Sequence, residues 1–165
     1  MTKFYTVMAL AGLVSLGSQS GAIAQEAGDA VRGMEVFKKR CLTCHIVGDA
    51  AEVSKRKAGP NLTDVYGRQA GSRELFPKKY GKSLVAAGEA GLVWNTEELT
   101  AYVEDPRKYL RAKLDDKKAR SNMSFKLSGK KRAQERADIV AYLKSLNPPK
   151  DGDAATTEAP KAEDS

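Results

Sequence analysis

A chain of 165 residues suggests one domain, and 28 Lys and Arg against 21 Asp and Glu give it a net charge of +7. With 41% apolar and 7% aromatic residues it has little material for a large core of its own, so a staple or prosthetic group would help it fold. Two cysteines and one histidine are too few for a four-ligand zinc site.

The first two dozen residues differ from the rest. Lys3 gives a short positive start, an apolar stretch covers 4–16, and Ala22-Ile23-Ala24 has the small-x-small form of a cleavage site. A membrane helix needs about 20 apolar residues, more than this stretch offers. Residues 1–24 are therefore predicted to be a signal peptide cleaved after Ala24, with the mature protein starting near Gln25. No later segment is apolar enough to stop transfer, so the product is expected in the periplasm without an integral membrane segment. Export also removes nucleic acid as the partner of its positive charge.

Four helices are predicted. The first spans 29–44, with Asp29 as N-cap and Met34, Phe37 and Cys41 at helical spacing. The second starts at Asn95, where Asn95 and Glu98 have capping-box spacing and Leu99, Tyr102 and Val103 form an apolar stripe. Pro106 ends it and opens a third, short helix through Tyr109 and Leu110. The fourth covers 128–146, with Ile139, Leu143 and Leu146 on one face and Pro148-Pro149 as its stop. The stretch 46–94, rich in Gly and Lys, reads as a long loop wrapped around a cofactor. Residues 25–150 are expected to form the domain. They hold 26 basic and 16 acidic side chains, a balance of +10, whereas 151–165 carry −4 and read as an acidic, disordered tail.

The two cysteines and the histidine sit together as Cys41-Leu42-Thr43-Cys44-His45. This is the covalent haem-attachment spacing: two thiols near the end of a helix reach two vinyl groups, and the next residue offers an imidazole to the iron. A redox dithiol would instead start a helix after a βαβ pattern, which is missing here. A disulfide across so short a loop would constrain little. For the sixth ligand a second His is impossible, and electron-carrying c haems commonly use Met. Met1 and Met8 leave with the signal peptide, and Met34 shares a helix with Cys41. Met123, in a polar loop, remains.

Over about 29–146 the chain resembles class I cytochrome c, and within it the bacterial cytochrome c2-type branch. The matching residues are Gly33 and Phe37, the Cys41–His45 motif, Gly59-Pro60-Asn61-Leu62, Gly67-Arg68, Trp94, Tyr102, Pro106-Arg107-Lys108-Tyr109, Met123 and Ala141-Tyr142-Leu143. The resemblance implies an all-α fold of about four helices, with long loops around one covalently bound haem c. It implies that Pro60 accepts a hydrogen bond from His45, that Arg68, Tyr80 and Trp94 hold a buried haem propionate, and that Tyr102 packs beside the Met ligand. Gly33 and Phe37 would meet Tyr142 and Leu143 where the first and last helices cross. Asn122 and Ser121 depart from the usual Lys and Thr before the ligand, and 76–91 and 111–120 look longer than in the mitochondrial branch.

The implied function is that of a monomeric electron carrier, not an enzyme. Its partners would be redox proteins with acidic docking surfaces: a cytochrome bc1 complex as donor, and a terminal oxidase or photosynthetic reaction centre as acceptor. Arg40, Lys57, Arg107, Lys108, Lys126, Lys130 and Lys131 are candidates for the basic docking ring. A peroxidase or five-coordinate gas-binding haem protein is the alternative, and it would need an open sixth position; a dithiol oxidoreductase is the more distant one.

Overall fold

The computed structural model describes residues 27–48, 55–73 and 77–147. The predicted signal peptide and acidic tail lie outside the described residues. Helix α1, Ala30–Arg40, begins where the Asp29 carboxylate accepts a hydrogen bond from the Arg32 amide at 2.9 Å. Lys38, Lys39 and Arg40 in its last turn complement the helix dipole. The helix stops four residues before the predicted 44, because the chain tightens into a turn. The amides of Cys41 and Leu42 both donate to Phe37 O, and those of Cys44 and His45 both donate to Cys41 O.

Helix α2, Lys82–Glu89, falls inside the stretch read as loop. Gly81 at its start offers no side-chain cap, and its buried residues are Ala87 and Gly88, too small to leave an apolar stripe in the sequence. Helix α3, Thr96–Glu104, starts at Asn95, whose side chain accepts from the Glu98 amide at 2.8 Å. The Glu98 carboxylate takes the Tyr109 hydroxyl and the Lys113 ammonium instead of closing a capping box. Asp105 then caps helix α4, Pro106–Lys113, with Pro106 in its first turn. Helix α5, Ala133–Ser145, follows a 3-10 turn at Lys130–Arg132 and buries Ile139, Val140 and Leu143.

Helices α1 and α5 cross in direct backbone contact. A Cβ on Gly33 would lie 1.9 Å from Asp138 O, so only glycine fits there, and the Phe37 and Tyr142 rings meet at a tilt beside the crossing with centroids 5.5 Å apart. Asp138, 4% exposed, accepts from the Asp29 amide at 2.8 Å, from Arg32 Nε at 3.0 Å and from Gln134 at 2.9 Å. The described residues contain no strand, only an isolated antiparallel bridge between Gln69 and Val93. Its flanking bonds, Trp94 N to Arg68 O at 2.9 Å and Ala70 N to Leu92 O at 2.9 Å, tie the loop after Val65 to the segment before α3. That tie delivers Arg68 and Trp94 to the same place.

Candidate functional site

The helices and loops enclose a cavity of about 290 Å³, walled by apolar side chains that include Phe37, Leu99, Val103, Ile139 and Leu143. All nine residues singled out from the sequence line it. The turn after α1 presents Cys41 and Cys44 as free thiols, Cys41 half-buried and Cys44 exposed. Burial, reinforced by the neighbouring Cys44, pushes the Cys41 thiol up to about 11. It is therefore protonated at neutral pH and is no thiolate nucleophile of the kind a dithiol oxidoreductase needs.

His45 is set by the segment opposite it. Its Nδ1 lies 2.8 Å from Pro60 O, which fixes the neutral tautomer as Nδ1–H and leaves the Nε2 lone pair for a metal. Burial lowers its pKa and the Lys79 ammonium adds to that, against the opposing pull of the Pro60 carbonyl, so the ring is neutral at pH 7. A Cβ on Gly59 would stand 2.3 Å from His45 Cε1. The Gly59 amide donates to Cys44 O at 2.8 Å and the Leu62 amide to Ile46 O at 2.9 Å, so the Pro60 loop is laced to the cysteine motif.

Met123 reaches the cavity from the loop between α4 and α5 and packs against the core, whereas Met34 does not line the cavity. Ser121 organises this loop. Its Oγ accepts from the Met123 amide at 3.1 Å and lies 3.2 Å from the Tyr102 hydroxyl, which places Tyr102 beside Met123. Trp94 packs edge-on against Tyr102, with ring centroids 5.0 Å apart.

Two polar atoms at the cavity wall, Arg68 Nε and the Tyr80 hydroxyl, are buried and have no hydrogen-bond partner among the described residues. Arg68 spends NH1 on Thr63 O at 3.0 Å, as does Arg73 at 2.7 Å. Burial raises the Tyr80 pKa, partly offset by the positive charges of Arg68 and Arg73, so the phenol remains a donor. Buried orphan donors are costly, and two of them at one wall fit a ligand that brings an anionic acceptor.

Sequence reasoning missed two neighbours of this site, Lys79 and Arg73, and the tie that Lys57 makes; all three hold loop carbonyls far along the chain. Nothing local distinguishes them from the other lysines and arginines of a basic chain. Of the docking-ring candidates, Lys57 places its ammonium on Leu42 O at 2.5 Å. Arg40 and Lys126 are engaged too, by Glu135 at 3.8 Å and Asp105 at 3.2 Å.

The family model for cytochrome c matches residues 30–147. The chain is 50% identical over 124 residues to cytochrome c-551 of Roseobacter denitrificans, covering 73% of this chain and 82% of that protein. It is 46% identical over 123 residues to cytochrome c2 of Rhodobacter capsulatus, covering 73% and 84%. Among solved structures it is similar to cytochrome c2 of Rhodospirillum centenum, with a TM-score of 0.63, 43% identity, and coverage of 73% of this chain and 100% of that one. An apolar cavity bounded by a Cys-x-x-Cys-His turn and these relatives lead to one conclusion: the chain belongs to the cytochrome c family, is of the c2 type, and carries electrons on one covalently bound haem c.

Proposed function

We propose that the chain is a periplasmic electron carrier in which Cys41 and Cys44 bind haem c through thioethers, while His45 and Met123 supply the two axial ligands of its iron. The observation that carries this reading is the convergence of all nine residues on one apolar cavity with two partnerless donors in its wall. The haem, when bound, supplies one-electron chemistry between Fe(II) and Fe(III). The protein's part is to hold that chemistry still. Pro60 orients His45, Ser121 and Tyr102 orient the Met123 loop, and Arg68, Tyr80 and Trp94 would hold a haem propionate. The apolar walls and the thioether ligand favour a high potential for a c haem. The only histidine is spent on the iron, so none remains beside it for acid–base work, and the chain acts as a carrier and not a catalyst.

Residues 1–24 would be the signal peptide, 25–150 the mature domain and 151–165 an acidic tail. The partners would be a cytochrome bc1 complex and an oxidase or photosynthetic reaction centre, met by a monomer through its basic face. Extraction with acid acetone, followed by alkaline pyridine-haemochrome spectroscopy, tests the attachment. The haem is expected to stay with the denatured chain and to give the spectrum of two thioethers. Haem that passes into the acetone would sink the proposal.

A further inference from the structure

Two lysines next to the cavity have their ammonium groups turned into the protein. Lys79 donates to Lys57 O, and its Nζ is 3.4 Å from both Lys55 O and Gly59 O. Three carbonyls of one short loop thus converge on a single ammonium with three donors. Lys57, whose own carbonyl Lys79 holds, reaches back with its ammonium to Leu42 O at 2.5 Å and Thr43 O at 3.4 Å, inside the Cys41–Cys44 turn. The next two residues after Ala58 are Gly59 and Pro60, which press on the His45 ring.

We propose that Lys79 is a positioning residue for His45: its ammonium clasps the 55–59 carbonyls, and the clasp keeps Pro60 O on the His45 Nδ1–H. The inference rests on the proposed role of His45 as an iron ligand. The clasp acts together with the Lys57 ammonium and two backbone bonds to hold the loop against the motif. The loop's backbone bonds to the motif are those of Gly59 and Leu62, and its residues are small or charged. Without the ammonium, three converging carbonyls would repel one another and seek water, and the loop would open next to the axial imidazole.

Proton exchange in the reduced holoprotein, followed by NMR, tests the clasp. Lys79→Met keeps the length of the side chain and removes its donors. Exchange at His45 Nδ1–H and at the Gly59 amide is expected to accelerate about tenfold, with the α5 amides of Ile139 and Leu143 unchanged. Lys79→Arg, which keeps charge and donors, should stay within about threefold of the wild type. Lys82→Met, a charge control on α2, should change nothing. Should Lys79→Met fail to mature, Lys79→Gln, neutral but still a donor, is expected to accelerate exchange to a lesser degree. Rates within about twofold of the wild type in both neutral variants would overturn the clasp, as would acceleration that extends equally to α5. If the wild type lacks the strongly shifted resonances of an iron-bound imidazole, the ligand reading falls and the clasp with it. If those resonances are present and exchange is unmoved, the clasp alone falls.

Discussion

The imidazole of His45 has almost no freedom to turn. Pro60 O fixes one ring nitrogen, Gly59 lies against the ring where any side chain would collide, and burial keeps the ring neutral. Met123 is held more lightly, by one amide bond to Ser121 and by the Tyr102 ring beyond it. If His45 and Met123 ligate the iron as proposed, Met123 would be the ligand to give way first. Met123→Ala should abolish the weak far-red absorption band of a thioether-ligated ferric haem while leaving the thioether attachment intact. Survival of that band in the variant would show that another residue is the sixth ligand. Cys41 supplies a second contrast at this scale. Its thiol, pushed up to about 11 by burial and by Cys44, makes Cys41 a poor nucleophile for disulfide exchange at neutral pH.

Among the helices, the crossing of α1 and α5 frames the cavity from below, and Asp138 is its polar fastening. Burial tends to raise the Asp138 pKa, but Arg32, the Asp29 amide and Gln134 outweigh it and hold the carboxyl below its ordinary value. A carboxyl depressed in the folded state adds stability that is full above the unfolded pKa of about 3.9 and is lost as pH falls through the lower folded value. Because Arg32 is half exposed, the gain is modest, about 1 kcal/mol. Asp138→Asn should therefore lower the unfolding midpoint by several degrees at pH 7, and the gap should narrow below about pH 4. A gap of equal size at pH 7 and pH 3 would rule out this linkage. The other fastening lies at Asp105, where the end of α3 becomes the cap of α4 and Pro106 prevents the two helices from merging.

The molecule as a whole is a basic body with an acidic end. Arg107, Lys108, Lys130 and Lys131 are exposed, whereas the Lys57 ammonium is held on backbone carbonyls. Residues 151–165 carry −4 against the +10 of residues 25–150, and a screening of such a face at low ionic strength is the expectation to test. A chain ending at residue 150 should associate with an acidic redox partner about threefold faster at low salt, with the difference vanishing as salt rises. Equal rates for both chains at low salt would exclude a screening role for the tail.

What the sequence determined by itself is what depends on near neighbours. The Cys41–His45 motif, the caps at Asp29 and Asn95 and the break at Pro106 can be read within a few residues. Their physics acts over one helical turn. Resemblance to a family added Pro60, Arg68, Tyr80, Trp94 and Tyr102, which no local signal marks. Tertiary structure alone decided the rest. Helix α2 escaped notice because Ala87 and Gly88 bury backbone and not large side chains, and α1 stopped early because the amides of Cys44 and His45 turn onto Cys41 O. Lys79 and Lys57 look like surface cations until the fold brings carbonyls 22 and 15 residues away to their ammonium groups. Hydrogen bonds across such separations follow from how a small chain closes around its cavity, and periodicity along the sequence carries no trace of them.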